Sequence, residues 1–133
     1  MPNRHEPVLV NPVIVVVDDD AAVRGSLKFA LEIEGFAVRT YPRGDKLLDD
    51  GSCADCVCFI IDQKLPGMNG LDVVAALRRQ RIAAPVILIT SQPTNMVQQR
   101  AAQAGVPILE KPLLGNALID RVRDAIGRLP TAH

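Results

Sequence analysis

The sequence predicts an α/β domain with a five-stranded parallel sheet covered by helices on both faces. Two observations carry this: five short runs rich in β-branched residues, and a segment of helical spacing between each successive pair. A third is that no repeat, low-complexity stretch or inter-domain linker divides the 133 residues, a length that fits one domain. The first run, residues 13–17, is continuously apolar and ends in Asp18-Asp19-Asp20, as expected of a strand buried on both faces. Val23, Leu27, Ala30 and Leu31 then recur at helical spacing and stop at Gly35. Residues 36–41 alternate apolar and polar side chains and read as an edge strand, and residues 43–50 as a short helix. Residues 57–61 form the third strand. Leu71, Val74 and Leu77 mark a helix that opens after Asn69-Gly70 and closes in the Pro85 region. The fourth strand is 86–89, the fourth helix 94–104 followed by Gly105, and the fifth strand 106–109. Leu114, Leu118, Val122 and Ile126 make the fifth helix. The domain is expected over 13–128, with loose tails at 1–12, which holds three prolines, and at 129–133.

Composition narrows the function classes. An apolar share of 48% and a charged share of 23% are ordinary for a soluble globular protein. Fifteen basic and fifteen acidic residues cancel, so no global field draws the chain to nucleic acid or an anionic membrane. There is no Trp, one Tyr and three Phe, too few for a base-stacking platform. The apolar run at 13–17 is far too short to span a bilayer, and no leader precedes it, so a cytoplasmic chain with reduced thiols is expected. Cys53, Cys56 and Cys58 invite a metal reading, but the histidines, His5 and His133, stand at opposite chain ends. Cys56 and Cys58 are expected to share one face of a strand as small apolar filling.

In a sheet of this kind the ligand site lies beyond the carboxyl ends of the strands. Those ends are chemically loaded. The first delivers Asp18-Asp19-Asp20, the third Asp62, the fourth Thr90-Ser91 and the fifth Glu110-Lys111-Pro112. Asp20 is the expected N-cap of the first helix. Asp18, Asp19 and Asp62 gather negative charge that a hard cation would relieve, and oxygen ligands with partial hydration suit Mg2+. A carboxylate beside such a cation can attack a phosphoryl group. The Thr90 hydroxyl and Lys111 are placed to hold the transferred oxygens.

The pattern Val15-Val-Val-Asp-Asp-Asp-x-x-Val-Arg24, then Ile61-Asp62-Gln-Lys-Leu-Pro66-Gly-Met-Asn-Gly70, then Ile89-Thr90, then Glu110-Lys111-Pro112, closely resembles the two-component receiver family. The resemblance covers about residues 13–127. It implies a doubly wound, flavodoxin- and CheY-like (βα)5 fold with strand order 2-1-3-4-5. It implies that Asp18 and Asp19 position Mg2+, that Asp62 is the phosphoacceptor, and that the Lys64 carbonyl is a backbone metal ligand. It implies that Thr90 is the switch hydroxyl and Lys111 the phosphate-binding lysine, ahead of a cis Pro112. The implied donor is a bacterial histidine kinase or phosphotransfer protein, the output an unknown downstream protein target, and a homodimer is open. Direct nucleic-acid binding and membrane contact are not expected. Neither is enzymatic activity beyond the domain's own phosphorylation and dephosphorylation. Nothing after Arg128 resembles an output domain, which leaves a stand-alone regulator or an excised receiver.

Three positions depart from the family's usual residues: Ser91 replaces a small Ala or Gly, Ile108 an aromatic ring, and Leu113 a Phe. Ile108 is stiff at χ1, so relay by a rotating ring is not expected and the change falls to residues 91–104. Lys64 and Gln92 flank the acceptor and the switch hydroxyl, where they could screen the hydrolytic water. Two rivals remain. A haloacid-dehalogenase-type phosphohydrolase would use Asp18 and Asp20, but the pattern then ends in Ala22 and leaves the Asp62 motif unexplained. A pseudo-receiver, a pure interaction module, is at odds with intact Asp62, Thr90 and Lys111.

Overall fold

The computed structural model describes residues 11–51, 53–113 and 115–127. Leu114, Arg128, His5, His133 and the tails at 1–10 and 129–133 lie outside the described residues, as does the Cys53 side chain. The elements run β1 (Val13–Val17), α1 (Ala21–Ile33), β2 (Ala37–Tyr41), α2 (Gly44–Asp50), β3 (Cys58–Asp62), α3 (Gly70–Arg79), β4 (Val86–Thr90), α4 (Asn95–Gln103), β5 (Ile108–Glu110) and α5 (Ala117–Gly127), with a 3-10 turn at Cys53–Asp55 before β3. All pairings are parallel and the strand order is β2-β1-β3-β4-β5, as the sequence implied.

Period-two alternation divides the core between two faces. Val15, Val17, Phe59, Ile61 and Leu88 point to the face covered by α2, α3 and α4, where they meet Leu47, Leu71, Leu77 and Ala101. Ile14, Val16, Ile60, Ile87 and Ile89 point to the other face and meet Leu27 and Leu31 of α1 and Leu118 and Val122 of α5. The central strands carry side chains buried on both faces, which is why they read as unbroken apolar runs.

Three helices end in the same way. After α1, the Gly35 and Phe36 amides return to the carbonyls of Glu32 and Leu31; after α4, those of Gly105 and Val106 return to Ala102 and Ala101. Gly35 and Gly105 hold φ of 98° and 71°, which a glycine adopts without cost. Phe36 and Val106 therefore spend their N–H groups on a helix, and the strands start later than the sequence suggested, at Ala37 and Ile108. The third helix stops earlier than the Pro85 region. The Arg81 and Ile82 amides close it onto the carbonyls of Arg78 and Leu77, with Arg81 at φ 63°, and no glycine marks the spot.

The cysteine expectation is corrected as well. Cys58 is the first residue of β3 and lies in the α1/α5 face of the core, whereas Cys56 lies in the opposite face. The strand begins only after Cys56, so alternation does not extend back to it. Both are buried and neither forms a disulfide.

Candidate functional site

The carboxyl ends of β1, β3, β4 and β5 deliver the site. Asp62 ends the central strand β3, paired with Ile89 of β4. Thr90 follows one position later, and the Lys111 amide donates to the Thr90 carbonyl at 2.9 Å. Asp18, Asp62 and Thr90 are the buried polar residues of the described core.

Asp18 is held at every polar atom. Its N–H donates to the Tyr41 carbonyl at 3.1 Å. Oδ1 accepts from the Asp20 amide at 2.9 Å, and Oδ2 faces Lys111 Nζ at 3.3 Å. Its carbonyl accepts from Arg24 Nη1 at 2.7 Å. Arg24 was quoted in the motif without a role. Its signal is directional, because side chains in the first turn of α1 lean back toward the helix start and so toward β1. Asp20 caps α1, its side chain accepting from the Ala22 and Val23 amides. Asp19 stays exposed.

Lys111 Nζ also lies 3.3 Å from Asp62 Oδ2, so one ammonium bridges two carboxylates. Asp62 Oδ1 accepts from the Lys64 amide at 3.3 Å. The Lys64 side chain is exposed, as are those of Ser91 and Gln92. The peptide bond between Lys111 and Pro112 is cis. Ile108 is half-buried against the α4 face of the core.

The electrostatics follow from these contacts. Burial pushes the Asp62 carboxyl above its ordinary value, the Asp18 charge adds to this, and Lys111 and the Lys64 amide pull back without cancelling it. Burial alone would lower the Lys111 ammonium, yet the Asp62 and Asp18 charges outweigh it and hold it above its ordinary value. One cation does not neutralise the cluster. Carboxylate oxygens of Asp18, Asp19 and Asp62 lie within 4.8 Å of one another, an all-oxygen set of the kind a hard divalent cation takes.

The family model described as the response regulator receiver domain matches residues 14–123. The chain belongs to this family. The receiver is 35% identical over 125 residues to the C4-dicarboxylate transport transcriptional regulatory protein DctR of Rhodobacter capsulatus, covering 89% of this chain and 64% of that one. It is 36% identical over 114 residues to the transcriptional regulatory protein FixJ of Azorhizobium caulinodans, covering 85% and 54%. It thus spans between half and two thirds of the length of these relatives. The response regulator TrrA of Thermotoga maritima, solved in complex with Mg2+ and BeF, superposes with a TM-score of 0.75 at 26% identity, covering 86% of the receiver and 98% of that chain. Receivers are signalling modules of two-component systems rather than classical enzymes. Among the described residues no helix of this one is long and apolar enough to cross a membrane.

Proposed function

We propose that this receiver accepts a phosphoryl group on Asp62 from a histidine kinase or phosphotransfer protein, with Mg2+ bound, and thereby changes the surface it shows to a downstream protein. The observation that carries the reading is the Lys111 ammonium, 3.3 Å from both Asp18 and Asp62 in a cluster it does not neutralise. Asp19, exposed beside the pair, would be the main side-chain ligand for Mg2+, with Asp62 and the Lys64 carbonyl as further ligands and Asp18 assisting through water. The cation supplies charge neutralisation at the incoming phosphoryl oxygens. An Asp62 carboxylate oxygen forms the new O–P bond as the donor's N–P bond breaks and its imidazole leaves. Lys111 gives up carboxylate contact for the phosphoryl oxygens, and Thr90, at the end of the neighbouring strand, donates its hydroxyl to them.

Both carboxylates are held at each oxygen, but Asp18 Oδ1 takes the Asp20 amide at 2.9 Å whereas both Asp62 oxygens have their partners at 3.3 Å, so Asp62 is the more loosely held nucleophile. This disfavours the dehalogenase-type alternative. Incubation with acetyl phosphate and Mg2+ is expected to label the wild-type protein, and Asp62→Asn to abolish the label. Undiminished labelling of that variant, or a phosphoryl group mapped to Asp18, would overturn the assignment. An unlabelled wild type would favour the pseudo-receiver.

A further inference from the structure

Helix α3 begins jammed against the backbone of the acceptor strand. A Cβ on Gly70, its first residue, would stand 2.7 Å from the Asp62 carbonyl oxygen and 2.9 Å from Gln63 Cα, so only glycine fits there. The first amides of a helix have no partner within it. In α3 the Gly70 amide donates to the Gln63 carbonyl at 3.0 Å, and the Leu71 amide to Gln63 Oε1 at 2.9 Å. The Asp72 amide donates to Asn69 Oδ1 at 2.9 Å. Gln63 therefore satisfies two helix amides, one with its main chain and one with its side chain. Its own N–H donates to the Ile89 carbonyl at 2.8 Å, next to Thr90. A single half-buried glutamine closes both ends of the turn over residues 63–70. The next residue in that turn is Lys64, whose amide meets Asp62 Oδ1.

We propose that Gln63 is a positioning residue for the acceptor: its side-chain oxygen pins α3 to the turn that sets the Lys64 backbone against the Asp62 carboxylate. The inference rests on the reading of Asp62 as phosphoacceptor. Gln63 touches neither donor nor cation. It acts through the Lys64 backbone, which carries the amide on Oδ1 and the carbonyl assigned to Mg2+. Without Oε1, the Leu71 amide loses its acceptor and the turn gains freedom, while Asp18 and Lys111 keep their own partners.

Gln63→Met keeps the length and removes the acceptor; Gln63→Glu keeps an acceptor oxygen. Both are compared with wild type under conditions where urea unfolding shows all three folded. In Gln63→Met the metal-free protein is expected to exchange its Leu71 amide roughly tenfold faster, the scale of one lost hydrogen bond, with Leu77 unchanged. At saturating Mg2+ its labelling by acetyl phosphate is expected to slow by at least about threefold, because small displacements of a reacting geometry are costly. Gln63→Glu is expected to restore Leu71 protection and most of the rate. Faster Leu71 exchange with a wild-type labelling rate would reduce Gln63 to a helix cap and overturn the proposal. Unchanged Leu71 exchange would overturn the contact itself. A wild type that takes no label at all would instead bring down the acceptor reading, whatever the Leu71 amide does.

Discussion

Helices α3 and α4 cover the same face of the sheet and are held very differently. α3 buries Gly70, Leu71, Val73, Val74, Ala76 and Leu77, and opens on a capping box between Asn69 and Asp72. α4 buries Ala101 alone, is capped by Thr94, and leaves Met96 exposed. The strands beneath follow suit: β3 is buried throughout, while β5 is three residues long and nowhere fully buried. A groove of about 390 Å3 runs between α4 and β5, lined by Pro93, Gln98, Ala101 and Ile108. Stability within a domain is uneven, and segments with few buried contacts shift at the lowest cost. Asp62, the proposed acceptor, stands on the firm half, and Thr90, the proposed switch hydroxyl, ends the strand that leads into the loose one. A charge placed on Asp62 thus meets a rigid support on one side and a movable α4 on the other.

The largest test of this contrast lies in packing. Leu77→Ala is expected to cost about 2–5 kcal/mol in urea unfolding, and Val97→Ala, which trims a half-buried side chain in α4, about 1 kcal/mol or less. Equal losses would break the comparison. The second concerns the floor of the firm half. Burial pushes the Cys58 thiol up to about 12, with Cys56 adding to the effect. Below pH 9.0 folded and unfolded chains both keep this proton; from there to about 12 only the unfolded chain loses it, so stability falls as pH rises through that window. Cys58→Ala is expected to start less stable but decline less steeply above pH 9.0, read by urea midpoints across that range. Parallel declines would deny Cys58 its dry setting. The smallest effect sits where the halves meet. Arg100 Nη2 reaches Asp72 Oδ1 at 3.6 Å, with both side chains substantially exposed. Arg100→Ala is expected to cost below about 1 kcal/mol, to fade with added salt, and to speed amide exchange in α4 before α3.

The strands were legible because burial on both faces leaves a run such as Val13–Val17 with no polar residue to interrupt it. The assembly of Asp18, Asp62, Thr90 and Lys111 was legible because each closes a strand, and parallel strands end at one edge. Less could be read where an outcome depends on which partner a backbone group finds. Val106 looks like a strand residue, but its amide bonds Ala101 and β5 shortens. Arg81 carries no sign that it would take a left-handed conformation and end α3. Alternation misassigned Cys56 because the 3-10 turn before β3 breaks the period. Gln63 and Arg24 were hidden for a related reason: a polar side chain after a strand or early in a helix has many possible partners, and only the folded chain selects the Leu71 amide or the Asp18 carbonyl.

The bond from Lys111 to Asp18 joins residues 93 apart along the chain. Such a contact is among the last a nascent polypeptide can make, since its loop closes only after every intervening strand has been synthesised. A growing chain that has emitted β1 and β3 but not β5 already owns its acidic cluster and lacks its lysine. Until that lysine arrives, charge repulsion at the tip of the half-built sheet opposes closure, and the late cation acts as its latch. The competence proposed for Asp62 would in this sense certify that β5 has joined the sheet, since only then does the cluster hold its lysine.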